Sequence, residues 1–322
     1  MPAYSPIFAH TVFSVMYMKR SRRNDSYLIL CGILVWFLVD AERLRAAAVN
    51  ALSLCGNAVI PALFPFLAVS TLLISLGFSD WLSPLLSGLM TPLFRLPGLA
   101  GSALILGLVG GYPIGASTAV HLYRNGQLTR EEAERLLTFC NNSNPVFLIS
   151  VLGNIFGDVR TGIWLWLIHL VSALLTGLLF REFGTSTARQ RPVMDVVRQP
   201  VSFFSAFVSA VRSAASGMVS VCGFVVLFYV LATPLRTAGG QVSIILTGLM
   251  ELFSLTPLLP PDRFGYIVAS GCAGWGGLSV LFQTAAVLDD SDLRLMPCIL
   301  GKAVQGLIAA GLAALMTGYV FS

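Results

Sequence analysis

Apolar runs of spanning length, cut at a few sharply polar places, organise this sequence. A short run, YLILCGILVWFLV (27–39), predicts a first span. DAERLRAAAVNAL (40–52) sets charges on one side and small apolar residues on the other, which predicts an interfacial helix. AVIPALFPFLAVSTLLISLGF (58–78) is long enough to cross, whereas WLSPLLSGLMTPLFRLPG (81–98) is broken by prolines and predicts a short helix that does not cross alone. Residues 99–120 are apolar, but their centre, GGYPIG, cannot stay helical: glycine is flexible and Pro113 lacks an amide proton. Two half-length helices joined at a tight tip fit better, a re-entrant hairpin whose backbone must be satisfied by protein or a wet cavity. LTREEAERLLTF (128–139) then opens a helix that Thr129 can cap, with Glu131 and Glu132 at its positive end. It runs into CNNSNP (140–145). Further spans are expected at 162–180, 203–234 and 293–321, with a second glycine-rich hairpin at 264–288. The 203–234 run is lined with Ser, Ala and Gly, which lets helices approach closely.

That order of parts occurs twice, and GLM recurs at 88–90 and 248–250. The expected fold is an all-α polytopic membrane protein of two repeats, each with a re-entrant hairpin and a broken helix. Residues 1–45 form a lead and first span, and 46–160 a first repeat with its hairpin near 99–122. A connecting span and basic linker follow at 161–200, then a second repeat at 201–322 with its hairpin near 264–288. Lys and Arg in KRSRR and at Arg181, Arg189, Arg191 and Arg198 place those segments in the cytoplasm. Threading from there puts the first hairpin's base inside, beside His121, Arg124, Arg130 and Arg135. The second hairpin's base, with Asp289, Asp290 and Asp292, then falls outside. The repeats are therefore expected to be inverted, with six crossings and both termini inside; hairpins that crossed fully would make eight.

Composition agrees with a membrane protein. Of 322 residues 56% are hydrophobic and 11% charged, at a mean hydropathy of +0.81, where soluble domains carry about 25% charged residues. The net charge of +5 sits at the ends of apolar runs, a placement that orients a chain in a bilayer rather than binding nucleic acid. The cysteines are scattered without a CxxC pair, so neither a metal site nor a disulfide framework is expected. FAHTVFSVMYM (8–18) precedes KRSRRND, the reverse of a signal peptide's order, and reads as a cytoplasmic lead-in.

Polar residues inside the spans carry the chemistry. An unsatisfied polar group in hydrocarbon costs several kcal/mol, so Asn141, Asn142, Ser143 and Asn144 need partners, in a ligand or in a neighbouring helix. Lys302 stands about nine residues, or about 14 Å, inside the last span, beyond the reach of snorkelling. An ionisable residue there marks either a functional site or a structural ion pair, for which Glu251 is the candidate partner. Gln305 lies on the same helical face. The hairpin tips add Gly111, Tyr112, Ser117 and Thr118 on one side and Trp275, Ser279 and Gln283 on the other. Tyr112 and Trp275 could stack on a flat ring or simply pack. GxSxG and HExxH are absent and His10, His121 and His169 stand apart, so no enzyme, metal or cofactor is expected; a coupling ion is left open.

LFPFLAVSTLLISLGF, PLFRLPG, GGYPIGAS, LTREEAERLLTFCNNSNPVF and GWGGLSV resemble the YlbJ-type sporulation integral membrane proteins over roughly residues 50–315. That family carries paired nucleoside-recognition (Gate) domains. The resemblance implies an architecture similar to concentrative nucleoside transporters, and a role in moving dipicolinate, a planar pyridine dicarboxylate, across the outer forespore membrane. The expected partners are thus a small anionic solute and the lipid bilayer, with a homo-oligomer admissible and no nucleic acid. Alternatives are a nucleoside-type transporter and a non-transporting Gate subunit that anchors partners.

Overall fold

The computed structural model describes residues 25–184 and 202–321, and every regular element among them is a helix. The lead-in before residue 25 and the basic linker at 185–201 lie outside the described residues. The chain divides into two units, Met1–Val49 and Asn50–Ser322. The first unit holds helix α1 (Asp25–Val39) and the opening turns of α2 (Ala41–Ser75). The interfacial helix expected at 40–52 is therefore continuous with the span that follows. A wide turn at Cys55–Val59 makes this possible. It lies just before Pro61, whose ring and missing amide would disrupt a regular ladder.

In the second unit α3 (Phe78–Phe94) is bent 94° against the Gly98–Gly110 stretch, so it does not cross alone, as its prolines suggest. Helices α4 (Gly101–Gly110) and α5 (Ile114–Arg124) pack together on either side of the tip at Gly111–Pro113. The two nearly touch: a Cβ on Gly107 would lie 3.0 Å from the Cα of Gly115. After α6 (Arg130–Leu137), capped by Thr129 and Glu132 in a reciprocal box, the chain loses its helix across 138–144 and resumes at 145. Helices α7 (Val159–Leu179) and α8 (Phe203–Leu231) are of spanning length. A short α9 (Thr233–Ala238) leads to α10 (Gly240–Met250), which turns at Glu251 into α11 (Leu252–Leu255). These two fold back on each other, for a Cβ on Gly248 would meet Leu255 Cδ2 at 2.8 Å.

The hairpin expected at 264–288 is absent. Helices α12 (Arg263–Trp275) and α13 (Gly277–Leu288) continue one another as a single apolar stretch of 26 residues. Gly276 interrupts it at φ 86°, a left-handed conformation that favours glycine. Last comes α14 (Met296–Val320), also of spanning length.

Two apolar clusters occupy the two ends of this unit. One gathers Phe94, Leu122, Leu136, Phe139, Cys140, Leu288 and Cys298; the other gathers Phe147, Leu152, Tyr266, Ala273, Ala309 and Ala313. Polar residues separate them. Along the chain Cys140 belongs to the first cluster and Phe147 to the second, with Asn141–Asn144 between. Along α14 Cys298 belongs to the first and Ala309 to the second, with Lys302 and Gln305 between. Gly276 lies in the same gap, between Ala273 and Leu281. A third cluster joins α2 to α8 through Leu63, Leu67, Val221 and Val225.

The first end is heavily charged. Arg95 pairs with Glu182, and Arg124 Nη2 lies 3.6 Å from Asp290 Oδ2. Arg294 Nη2 donates to the buried Glu134 at 2.6 Å, and Arg130 reaches both Glu134 (3.0 Å) and Asp292 (3.5 Å). This is the end where α7 runs into the basic linker, so the positive-inside rule assigns it to the cytoplasm. Arg124 and Asp290 therefore share one side, contrary to the expectation from charge alone. The error follows from the missing hairpin: a stretch that crosses instead of returning delivers Asp289–Asp292 to the opposite face. Val320, expected inside, lies with Tyr266 and Phe321 at the other end for the same reason.

Candidate functional site

Three interruptions meet around one amino group. Lys302 has no solvent exposure, and its Nζ donates to Tyr112 Oη at 3.1 Å, the Asn141 carbonyl at 2.9 Å and Gln305 Oε1 at 2.9 Å. Tyr112 comes from the hairpin tip, Asn141 from the break after α6, and Gln305 from one turn along α14. Tyr112 in turn donates to the carbonyl of Ala273 at 2.7 Å, two residues before the end of α12 and three before Gly276. Three acceptors take the three N–H bonds of an ammonium; a neutral amine has only two to give. Among the described residues no carboxylate comes within ion-pair distance of Lys302, so the Glu251 pair foreseen as a structural alternative is not formed.

The amides extend the network. Gln305 Nε2 donates to Asn142 Oδ1 at 2.9 Å, and Asn142 Nδ2 to the Phe139 carbonyl at 2.8 Å. Asn141 Nδ2 donates to Thr284 Oγ1 at 2.9 Å, while its Oδ1 is buried without a hydrogen-bond partner. Asn144 Oδ1 accepts from Phe147 N at 2.8 Å and restarts the helix. The Ser143 amide donates to His169 Nε2 at 3.1 Å. Close approach holds this strand in place: a Cβ on Gly107 or Gly115 would lie 1.9 Å from the Cys140 carbonyl oxygen, and one on Gly301 would lie 2.0 Å from that of Thr138.

Beside Tyr112 opens a small cleft, lined by Tyr112, Ser143, Asn144, Glu251, Phe253 and Gln283 among others. Lys302 does not line it and stands behind the tyrosine, whose ring centroid is 4.9 Å from Nζ. Of the residues singled out from the sequence, Tyr112, Asn141, Asn142, Lys302 and Gln305 are joined by hydrogen bonds, and Ser143, Asn144 and Gln283 line the cleft. Gly111, at φ 87°, packs against Asn144 at the tip. Ser279 bonds Gln283 at 3.2 Å. Three stand elsewhere. Ser117 is exposed, Thr118 donates to Ile114 O within its own helix, and Trp275 donates to the Leu249 carbonyl at 2.9 Å and does not face Tyr112 as a stacking partner. The helical phase and the α10 backbone decided these positions, and neither is visible in a motif.

Glu251, Thr284 and His169 were not singled out as site residues. A buried carboxylate at the tip of a short hairpin could have been found from the break in apolar pattern at MEL (250–252). Thr284 carried no signal. His169 sits alone in an apolar run, and only the fold brings it to Ser143.

Residues 58–162 match the family model described as Gate, nucleoside recognition. This segment contains the first hairpin and the whole of the amide break. The chain is also 29% identical over 306 residues to the sporulation integral membrane protein YlbJ of Bacillus subtilis (strain 168). That alignment covers 82% of this chain and 75% of the relative. No solved structure matches the chain. Apolar helices of spanning length, a Gate-type segment at 58–162 and this similarity together identify an integral membrane protein similar to the YlbJ sporulation protein.

Proposed function

We propose that the chain is a secondary transporter for a small planar anion of the dipicolinate type, and that it acts in sporulation as its relative's name indicates. The observation that carries the reading is the Lys302 amino group, buried at the meeting point of interrupted helices and bonded, among the described residues, to neutral acceptors alone. A buried charge without a counterion costs several kcal/mol. A carboxylate entering the cleft would supply that counterion once Tyr112 moves aside, and the amide N–H groups of Asn144 and Gln283, which line the cleft, would complete its polar shell.

Alternating access is supported by the order of parts. A span (α2), a short helix (α3), a hairpin (α4–α5), an interrupted stretch (130–155) and a span (α7) are followed by the same series. There it is α8, α9, the α10–α11 hairpin, the interrupted α12–α13 stretch and α14. We read these as inverted repeats, with the first hairpin entering from the charged end and the second from the other, an architecture of secondary transporters. Their tips, at Tyr112 and Glu251, face the same cleft.

The test is uptake by proteoliposomes of pyridine-2,6-dicarboxylate, with uridine and benzoate in parallel. Saturable dicarboxylate uptake is expected. The description of the Gate family favours a second reading, a nucleoside-type solute; uptake of uridine but not of the dicarboxylate would establish it. No uptake of any of the three would overturn the transporter reading.

A further inference from the structure

We propose that Glu251 is the proton-carrying coupling site of this protein, so that the solute anion and one proton cross together. This rests on the transporter reading above and adds the coupling ion to it.

Glu251 is 1% exposed at the tip of the α10–α11 hairpin and lines the cleft opposite Tyr112. One carboxylate oxygen accepts from Ser254 N, and no Lys or Arg among the described residues reaches ion-pair distance. Arg236 is the opposite charge that acts on it, and it stays short of ion-pair distance. Arg236 on α9 lies over the Tyr229 ring, 4.0 Å from its centroid. On α2 and α8, Cys55 Sγ is 4.0 Å from the Cys222 carbonyl. At the first tip Tyr112 is bonded to Ala273 O, and Lys302 beyond it is held by neutral acceptors.

The cleft thus has a cation behind one wall and an acid in the other. With Glu251 ionised, the two charges offset each other across the cleft and an incoming anion meets a carboxylate. With Glu251 protonated, no carboxylate opposes the anion, and the nearby cations Lys302 and Arg236 both favour it. Anion and proton therefore favour each other's binding, and by linkage the effect is reciprocal. The same arithmetic permits the empty carrier to return with Glu251 ionised and Lys302 compensated across the cleft.

Two measurements on the purified full-length chain test this. The first needs no solute: dicyclohexylcarbodiimide reacts with protonated acids in apolar surroundings, and adducts are located by mass spectrometry across pH 5 to 9. Glu251 is expected to be labelled on the acid side and progressively spared on the alkaline side, while exposed Glu182 stays unlabelled. The second is calorimetry of pyridine-2,6-dicarboxylate in buffers of different ionisation enthalpy. One proton should be taken up per anion, with affinity falling about tenfold per pH unit on the alkaline side. Glu251→Gln, whose amide oxygen can still accept from Ser254 N, should bind with a flat pH profile and no proton uptake. Absence of any Glu251 adduct, or proton uptake by Glu251→Gln equal to that of the unmodified protein, overturns the proposal. An adduct without dicarboxylate binding leaves the proton site standing and removes the solute. Binding with neither adduct nor proton uptake removes the proton site and leaves the solute.

Discussion

Replacing Lys302 by Met separates a charge kept for function from one kept for structure. The methionine fills nearly the same volume but leaves Tyr112 Oη, the Asn141 carbonyl and Gln305 Oε1 without their shared donor. Each buried acceptor so orphaned costs about 1–3 kcal/mol. Against that, the substitution removes a buried charge whose burial itself costs several kcal/mol. The opposing contributions are of similar size, so the melting temperature without ligand should move by only a few degrees. Binding should respond differently. A charge-assisted hydrogen bond to the solute is worth about 1.5–3 kcal/mol, which at about 1.4 kcal/mol per tenfold is roughly tenfold to a hundredfold in affinity. Lys302→Arg should recover part of it, since the charge survives while the geometry changes. The assay pairs ligand titration with thermal melting, both on protein in detergent. Glu251→Gln added to Lys302→Met should restore no stability, because the two side chains form no pair. A large fall in melting temperature with unchanged affinity would refute the reasoning and make Lys302 a structural residue.

Gly301→Ala should lower the melting temperature by several degrees and abolish dicarboxylate binding, since its Cβ would lie 2.0 Å from the Thr138 carbonyl oxygen, whereas Gly311→Ala on the same helix meets nothing within 4 Å and should do neither. Cysteines placed at Arg124 and Asp290, on a background without native cysteines, should both react with an impermeant reagent from the cytoplasmic side; labelling from opposite sides would contradict the fold. At Glu134, burial works against ionisation, but hydrogen bonds from Arg294 and Arg130 outweigh it and hold the carboxyl below its ordinary value. Its folded-state pKa is thus depressed, so its contribution to stability is present at neutral pH and lost as pH falls through that lowered value. Glu134→Gln should therefore melt lower than the unmodified protein at pH 7, with the gap closing as pH falls below about 4.

Much of the membrane architecture is legible in the sequence because it is local. The length of an apolar run decides whether it can cross, and GGYPIG cannot remain helical wherever it is placed. Lys302 is interior because too many apolar residues separate it from the end of its span. The amides at 141–144 must find partners for the same reason, though not which ones. What the second glycine-rich stretch does is not local. GWGG can end a helix or merely interrupt it, and here Trp275 donates to the Leu249 carbonyl while Gly277 lies against the Met250 carbonyl. Those contacts with α10 hold α13 on the course of α12, so the chain crosses instead of returning. One such continuation moves Asp290 to the side of Arg124. It also carries Glu251, distant from Tyr112 in sequence, to the same cleft. Local pattern sets where a helix can break; the neighbours that satisfy the exposed backbone at the break decide in which direction the chain leaves it.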